Sequence, residues 1–179
     1  TAIVGQEEMK LALVLNVGKA HIGEFGSQAE IARAKGELVE SLGPDGTAVL
    51  NADDPLVAAM AERTAGRVRT FGSSADADLR FDELEVDDLG RPSFVLHSGH
   101  ERATVSMGLV GEHHAGNAAA AAAAALALGL SLDDVADSLA TATATSPGRM
   151  DVHERADGVI VIDDAYNANP DSMRAALKA

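Results

Sequence analysis

The chain has no cysteine and no tryptophan, and it holds only one tyrosine and four phenylalanines among its 179 residues. Without cysteine it has neither a disulfide framework nor a thiolate zinc site. Because aromatic residues are so scarce, Ala, Val and Leu must fill the core. The lack of cysteine mildly favours the cytoplasm, although an exported protein can lack cysteine too.

Basic residues are also scarce, with 14 Lys and Arg against 28 Asp and Glu, which gives a net charge of −14. A surface that binds nucleic acid or an anionic membrane needs a positive field, so we expect neither partner. No segment reaches the ~18 consecutive apolar residues of a membrane-spanning helix. No secretory signal opens the sequence. The length allows one domain with a sizeable core, or one domain plus a fragment.

The first part of the chain alternates strand and helix patterns, which predicts a parallel sheet with crossover helices. Residues 11–17 suit a buried strand, although the residues before them favour a helix by propensity. The next helix is predicted over 28–42. Its apolar face would consist of Ile31, Ala34, Leu38 and Leu42.

Two further strands are predicted over 48–50 and 67–71, with a helix over 55–64 between them. Asp53 or Asp54 would cap that helix. Residues 78–109 show short apolar runs separated by turn residues, which is typical of an antiparallel meander. The sequence therefore predicts an α/β fold, with a mostly parallel sheet and an attached antiparallel meander.

Eight consecutive alanines, Ala118 to Ala125, predict a strong helix that ends near Gly129. Ser131 would cap a second helix that reaches about residue 142. Thr143 to Pro147 is predicted to be a hinge.

Beyond that hinge, strands are expected over 150–154 and 159–162, the second of them buried. A last helix would start near Pro170. The run from Asp163 to Met173 places acids, amides and an aromatic between that strand and that helix. Such a cluster is where α/β proteins bind ligands, but an N-cap and turn explain it equally well.

Three more motifs carry chemistry. A Gly-rich loop over 16–27 holds His21, and Lys35 follows inside the next helix. Taken alone, His21 would be a solvated or packed loop residue and Lys35 an exposed helix position. The run from Gly111 to Asn117 contains adjacent histidines, a weak zinc signal because neighbours on a helix point about 100° apart. The sequence 147–149, Pro-Gly-Arg, is by itself only a turn.

Together these motifs resemble the Mur ligase family over about residues 14–179. The run Asp-Ala-Tyr-Asn-Ala-Asn-Pro-Asp-Ser-Met over 164–173 is closest to the members that add D-alanyl-D-alanine to UDP-N-acetylmuramoyl-tripeptide. The resemblance implies an ATP-dependent amide ligase that works through an acyl phosphate. It also implies peptidoglycan precursor synthesis in the cytoplasm, with ATP and Mg²⁺ as cofactors.

The resemblance also implies roles for particular residues. His21 would bind magnesium, and Lys35, if carbamylated, would be an anionic group at the metal site, because hard cations prefer oxygen ligands. His114 stands where the family has Asn. The residues implied to hold the nucleotide or to face the incoming dipeptide are His113, Asn117, Arg149, Asp164, Tyr166, Asn167 and Asn169.

The resemblance divides the chain into three parts. Residues 18–146 would be the central, ATP-binding domain and residues 147–179 the start of the C-terminal α/β domain. Residues 1–17 do not fit that family and instead resemble the AAA+ ATPase subunit of magnesium chelatase. We interpret this difference as the mark of a chimera, a recombined gene or an engineered fusion.

The 179 residues contain no Gly-x-x-Gly-Lys-(Ser/Thr) phosphate loop. Since phosphoryl transfer depends on positioning and charge stabilisation, we expect this chain alone to be inactive. Ligase turnover by the purified chain would contradict that expectation. Two alternatives stay open: another Mur or folylpolyglutamate synthase-like ligase, and a non-catalytic recombinant fragment. A sheet edge left exposed would promote self-association.

Overall fold

Three parallel strands open the sheet, in chain order: β1 (Leu11–Val14), β2 (Thr47–Asn51) and β3 (Arg67–Gly72). The computed structural model describes residues 9–18, 27–144, 148–166, 168, 173–174 and 176–177. Within that part, residues 11–14 form a strand and not a helix. β1 pairs with β2 from Leu11 opposite Thr47 onwards, so it belongs to the same sheet as the rest.

The predicted meander continues this sheet without a break. β4 (Leu79–Val86) pairs parallel with β3, and β5 (Pro92–Ser98) and β6 (Glu101–Ser106) follow antiparallel. The result is one six-stranded sheet in the order β1 to β6. β1 and β6 are the outer strands of the described sheet; the predicted self-association through an edge stays a prediction.

Helices pack on both faces of the sheet and create two cores. On one face, α1 (Gln28–Glu40), α2 (Pro55–Ala58) and a 3₁₀ helix (Ala59–Arg63) cover β1 and β2. On the other face, α3 (His114–Ala127) crosses the sheet, and α4 (Leu132–Ala140) packs against β6. The two-sided cover explains why Ala48, Val49 and Leu50 of β2 are all fully buried.

The alanine run forms the buried face of α3. Ala118, Ala119, Ala120, Ala122 and Ala123 are buried against the sheet. Small side chains let the helix axis approach the strands closely, which compensates for the scarcity of large apolar residues. The predicted cap of α4 is confirmed, since Ser131 Oγ accepts a hydrogen bond from the backbone N–H of Asp134 at 3.2 Å.

Two details of the predicted helices are settled or corrected. Asp54, and not Asp53, caps α2, with its side chain accepting from the N–H groups of Leu56 and Val57. The predicted apolar face of α1 is partly wrong, because Leu38 is 38% exposed whereas Val39 is fully buried. Ile31 and Leu42 are buried as predicted, and Val39 takes the place of Leu38 in the core.

A separate two-stranded ribbon follows, formed by β7 (Asp151–Glu154) and β8 (Ile160–Asp163). A strand does form close to the predicted range 159–162, but the prediction that this strand is buried is wrong. Val159, Ile160, Val161 and Ile162 are between 41% and 50% exposed. A lone antiparallel ribbon leaves both of its faces uncovered, so an apolar run within it stays in contact with solvent.

Some predictions lie outside the described residues. They include the helix start at Pro170, residues 145–147 of the predicted hinge and residues 1–8 of the N-terminal segment. No helix in the described ranges has the length and hydropathy that crossing a membrane would require.

Candidate functional site

The carboxyl ends of the parallel strands carry the first group of polar contacts. Asn51, the last residue of β2, donates from Nδ2 to the carbonyl oxygen of Leu15 at 2.8 Å. Gln28, the first residue of α1, donates from Nε2 to the carbonyl oxygen of Val17 at 2.7 Å. These bonds fix the chain as it leaves β1, at the sheet edge where open α/β sheets bind ligands.

Lys35 reaches this edge from α1. Its Nζ donates to the carbonyl oxygen of Asn16 at 2.6 Å, although the side chain is exposed. The second predicted metal residue, His21, lies outside the described residues. Within the described ranges no three His, Asp or Glu side chains are grouped so that they could hold a metal ion.

The acidic block after β2 has a structural role. Asp53 accepts at Oδ2 from the N–H and the hydroxyl of Ser73, at 2.6 and 3.0 Å, and at Oδ1 from the N–H of Ser74 at 2.9 Å. Asp54 caps α2 and binds the N–H of Val17. The two carboxylates therefore connect the ends of β1, β2 and β3.

A second group of side chains stands at the start of α3. The rings of His113 and His114 lie 4.3 Å apart, centroid to centroid, at an interplanar angle of 36°. Burial, followed by the neighbouring His113, lowers the pKa of His114 to about 4. Burial also lowers the pKa of His113, while the charge of Asp164 acts in the opposite direction. Burial therefore favours the neutral form of both rings.

The backbone before these histidines requires glycine. Gly111 has φ +121°, and a Cβ there would lie 2.5 Å from Cε1 of His113. The turn lets the N–H of His114 donate to the carbonyl of Gly111 at 3.0 Å. Asn117 follows one turn along α3 and is exposed.

The open end of the β7–β8 ribbon supplies the third group. Asp164 accepts at Oδ1 from the N–H of Met150 at 3.3 Å. Met150 has φ +53°, an uncommon value for a residue with a side chain. Arg149 lies over the ring of Tyr166, with its guanidinium carbon 3.8 Å from the ring centroid.

The structure thus brings together some of the predicted site residues. His113 and Asp164 are 51 positions apart, yet Asp164 lies near enough to affect the pKa of His113. Arg149, Asp164 and Tyr166 share one end of the ribbon. Asn167 and Asn169 lie outside the described residues, so their predicted roles stay predictions.

Sequence reasoning missed two contacts, the stack of Arg149 on Tyr166 and the bond between Asp54 and Val17. The first joins residues that flank the two strands of a ribbon whose register the sequence does not reveal. A signal for the second existed, since an N-cap aspartate has a second oxygen that needs a donor.

Comparison with known proteins identifies the family. Residues 3–125 match the model of the Mur ligase middle domain. The chain belongs to the Mur ligase family. The match begins at residue 3, so the family model includes most of the segment that we set apart as 1–17. The comparisons give no support to the resemblance of that segment to magnesium chelatase.

Individual Mur ligases are similar along most of this chain. It is 50% identical over 169 residues to the UDP-N-acetylmuramoyl-tripeptide–D-alanyl-D-alanine ligase of Mycobacterium tuberculosis. The aligned region covers 94% of this chain and 33% of that relative. This chain therefore spans about a third of the length of the curated relatives that it matches.

Solved Mur ligase structures share its fold. A crystal structure of MurF from Acinetobacter baumannii superposes with a TM-score of 0.86 at 37% identity, covering 94% of this chain and 36% of that one. MurF from Thermotoga maritima in complex with ADP gives a TM-score of 0.79 at 28% identity, covering 94% and 38%. The mostly parallel six-stranded sheet is therefore the Mur ligase middle-domain fold.

Proposed function

We propose that this chain is the nucleotide-binding part of an ATP-dependent ligase of peptidoglycan precursor synthesis in the cytoplasm. The whole enzyme would add D-alanyl-D-alanine to UDP-N-acetylmuramoyl-tripeptide. Family membership and the names of the relatives support this proposal. The observation that carries it is the polar cluster at the open end of the ribbon, where Asp164 binds the N–H of Met150 and the guanidinium of Arg149 lies over the ring of Tyr166. The charge of Asp164 also acts to raise the pKa of His113, at the start of α3.

The chemistry of these side chains suits a nucleotide. Asp164 uses Oδ1 for the N–H of Met150, and within the described residues its Oδ2 has no donor, so it can accept from ribose hydroxyls. Neutral rings at His113 and His114 offer a flat surface to a base without repelling a cation nearby. The exposed guanidinium of Arg149 suits phosphate oxygens.

The proposed reaction has two steps. The carboxylate of the tripeptide attacks the terminal phosphorus of ATP, which forms an acyl phosphate and releases ADP. The amine of D-alanyl-D-alanine then attacks the acyl carbon, an amide bond forms and inorganic phosphate leaves. Cationic groups such as Arg149 would offset the negative charge on the transferring phosphoryl group.

The proposed metal site at Lys35 and His21 suits Mg²⁺ only if the Lys35 side chain is carbamylated and so becomes negatively charged. As an ammonium group bound to the carbonyl of Asn16, Lys35 would repel a divalent cation. As a carbamate it would offer oxygen atoms, which Mg²⁺ prefers. His21 is the other proposed ligand. When bound, Mg²⁺ would supply charge stabilisation for phosphoryl transfer.

Calorimetric titration with ATP and Mg²⁺ tests the proposed site. We expect saturable binding that Asp164→Ala weakens by roughly tenfold or more, because a charged acceptor of hydroxyl groups is lost. Asp137→Ala is the matched control, since it removes the same charge from an exposed position on α4. Equal affinity in the parent and Asp164→Ala, or no binding by a folded chain, would overturn the proposal.

The identity of the amino acid or dipeptide whose amine attacks the acyl phosphate, the acceptor substrate, is the least constrained part of the proposal. The alternative is another Mur ligase or a folylpolyglutamate synthase-like enzyme, with a different amino acid as acceptor. The run Tyr166 to Asn169 favours D-alanyl-D-alanine. A screen of amino-acid and dipeptide acceptors on a full-length enzyme that contains this chain would decide between them.

A further inference from the structure

Arg149 and Tyr166 form a contact that nothing in the proposed reaction requires. The guanidinium carbon of Arg149 lies 3.8 Å from the centroid of the Tyr166 ring. Both residues are exposed, and 65% of the Tyr166 surface remains accessible. At such sites a cation–π contact is worth little in overall stability, but it restricts an otherwise mobile side chain.

The backbone around the pair holds the two residues at a fixed separation. The N–H of Tyr166 donates to the carbonyl of Gly148 at 2.9 Å. The N–H of Gly148 in turn donates to Oδ2 of Asp151 at 2.9 Å. These bonds close the open end of the β7–β8 ribbon, so the ring faces Arg149 because of the ribbon's register.

Arg149 is one of the arginines for which no ion pair is found within the described residues, as are Arg67, Arg69 and Arg102. Five arginines of the described chain form ion pairs with carboxylates, namely Arg33, Arg63, Arg80, Arg91 and Arg155. No such pair involves Arg149 within the described residues, although the chain carries 28 acidic residues. Its N–H donors therefore have no carboxylate to satisfy them, and an anion from solution can take that place.

We propose that Tyr166 is a positioning residue that holds the Arg149 guanidinium ready for a phosphate group. The guanidinium carbon lies over the face of the ring. A planar guanidinium that stacks on a ring keeps its N–H donors in its own plane, where they stay available to phosphate oxygens. Stacking and phosphate binding are therefore compatible. The inference rests on the proposed function only in naming the nucleotide as the source of the phosphate.

Inorganic pyrophosphate tests the positioning role without a nucleotide. We expect Tyr166→Leu to weaken pyrophosphate binding by roughly two- to fivefold, the effect of one exposed cation–π contact. Tyr166→Phe keeps the ring and should restore most of the affinity. In an Arg149→Met background, Tyr166→Leu should change nothing further, because the positioned group is absent. Unchanged affinity in Tyr166→Leu, or no pyrophosphate binding by the parent chain, would overturn the proposal.

Nuclear magnetic resonance observes the contact directly. Tyr166 is the only tyrosine in the chain, so its ring protons are assigned without ambiguity. We expect nuclear Overhauser contacts between that ring and the Arg149 side chain, both before and after pyrophosphate is added. Their absence from the free protein, or their loss on binding, would contradict the proposed role.

Parallel titrations separate the two proposals. If ATP and adenosine fail to bind while pyrophosphate affinity still depends on Tyr166, the nucleotide site fails and the positioning role stands. If ATP binds the parent and Tyr166→Leu equally well, the positioning role fails and the nucleotide site stands.

Discussion

Asp54 accepts a hydrogen bond from the backbone N–H of Val17 at 2.7 Å, across 37 positions of sequence. The bond is made by Oδ2, while Oδ1 accepts from the N–H groups of Leu56 and Val57 at 2.9 and 3.3 Å. A single carboxylate therefore ties the exit of β1 to the start of α2. This bond keeps the backbone near Lys35 in place, because Lys35 binds the carbonyl of the adjacent residue, Asn16.

Asp54→Ala should lower the free energy of unfolding by about 2 kcal/mol or more. Loss of an N-cap costs about 1 kcal/mol, and an N–H left without a partner costs about 1–3 kcal/mol. Val17 is only 2% exposed, so solvent does not easily replace the missing acceptor. Urea denaturation of the parent and the variant measures the difference. Asp137→Ala is the control, and an equal loss in both variants would contradict a special role for Asp54.

Two Gly→Ala substitutions should change stability in opposite directions. Gly72 has φ +156°, and a Cβ there would lie 2.8 Å from the Asp53 carboxylate, so Gly72→Ala should destabilise the fold by about 1–3 kcal/mol.

Gly116 lies in α3 with nothing within 4 Å of an added Cβ. Gly116→Ala should therefore stabilise the fold by about 0.5–1 kcal/mol. Thermal unfolding compares the two variants with the parent. Equal melting temperatures for all three proteins would refute both expectations.

His114 should make the fold less stable in mild acid. Its pKa in the folded chain is about 4, lowered by burial and then by His113, whereas the unfolded value is about 6.5. The unfolded chain therefore binds the proton first, and stability should fall as the pH drops from about 6.5 towards 4. The loss should be about 1–2 kcal/mol, because the ring keeps some contact with solvent.

Denaturation at pH 7.5 and at pH 5 tests this dependence. His114→Asn should lose less stability between the two pH values than the parent does. His100→Gln, in the exposed turn between β5 and β6, should behave like the parent. The prediction fails if His114→Asn shows the same pH dependence as the parent.

Lys35 should react with carbon dioxide if it serves a metal site. Carbamate formation replaces the positive charge of Nζ with a negative one, and the remaining N–H can still donate to the carbonyl of Asn16. Incubation with ¹³C-labelled bicarbonate should give a carbamate resonance that Mg²⁺ strengthens and that Lys35→Arg abolishes. A spectrum of the parent identical to that of Lys35→Arg would exclude the modification.

The predicted sheet and helices are largely confirmed, because their signals are local. Alternating strand and helix patterns, the alanine run and the caps Asp54 and Ser131 each depend on a few neighbouring residues. The Mur ligase motifs predicted the family for the same reason, since each is a short run with fixed spacing.

The burial of β8 and the buried face of α1 were predicted wrongly because burial depends on what packs against an element. An apolar run such as Val159 to Ile162 has the same pattern whether a helix covers it or not. Leu38 and Val39 are both apolar, and only the folded chain shows that Val39 joins the core formed with β1 and β2 whereas Leu38 stays exposed.

The sequence by itself determined the local elements, the caps and the family, because propensity, capping and motif spacing act over a few residues. Only the tertiary structure decided which distant groups meet. The bond between Asp54 and Val17 joins the end of β1 to the start of α2, and the stack of Arg149 on Tyr166 joins the two chain segments that flank the β7–β8 ribbon. Such contacts depend on sheet order, ribbon register and helix placement, which the whole core sets together.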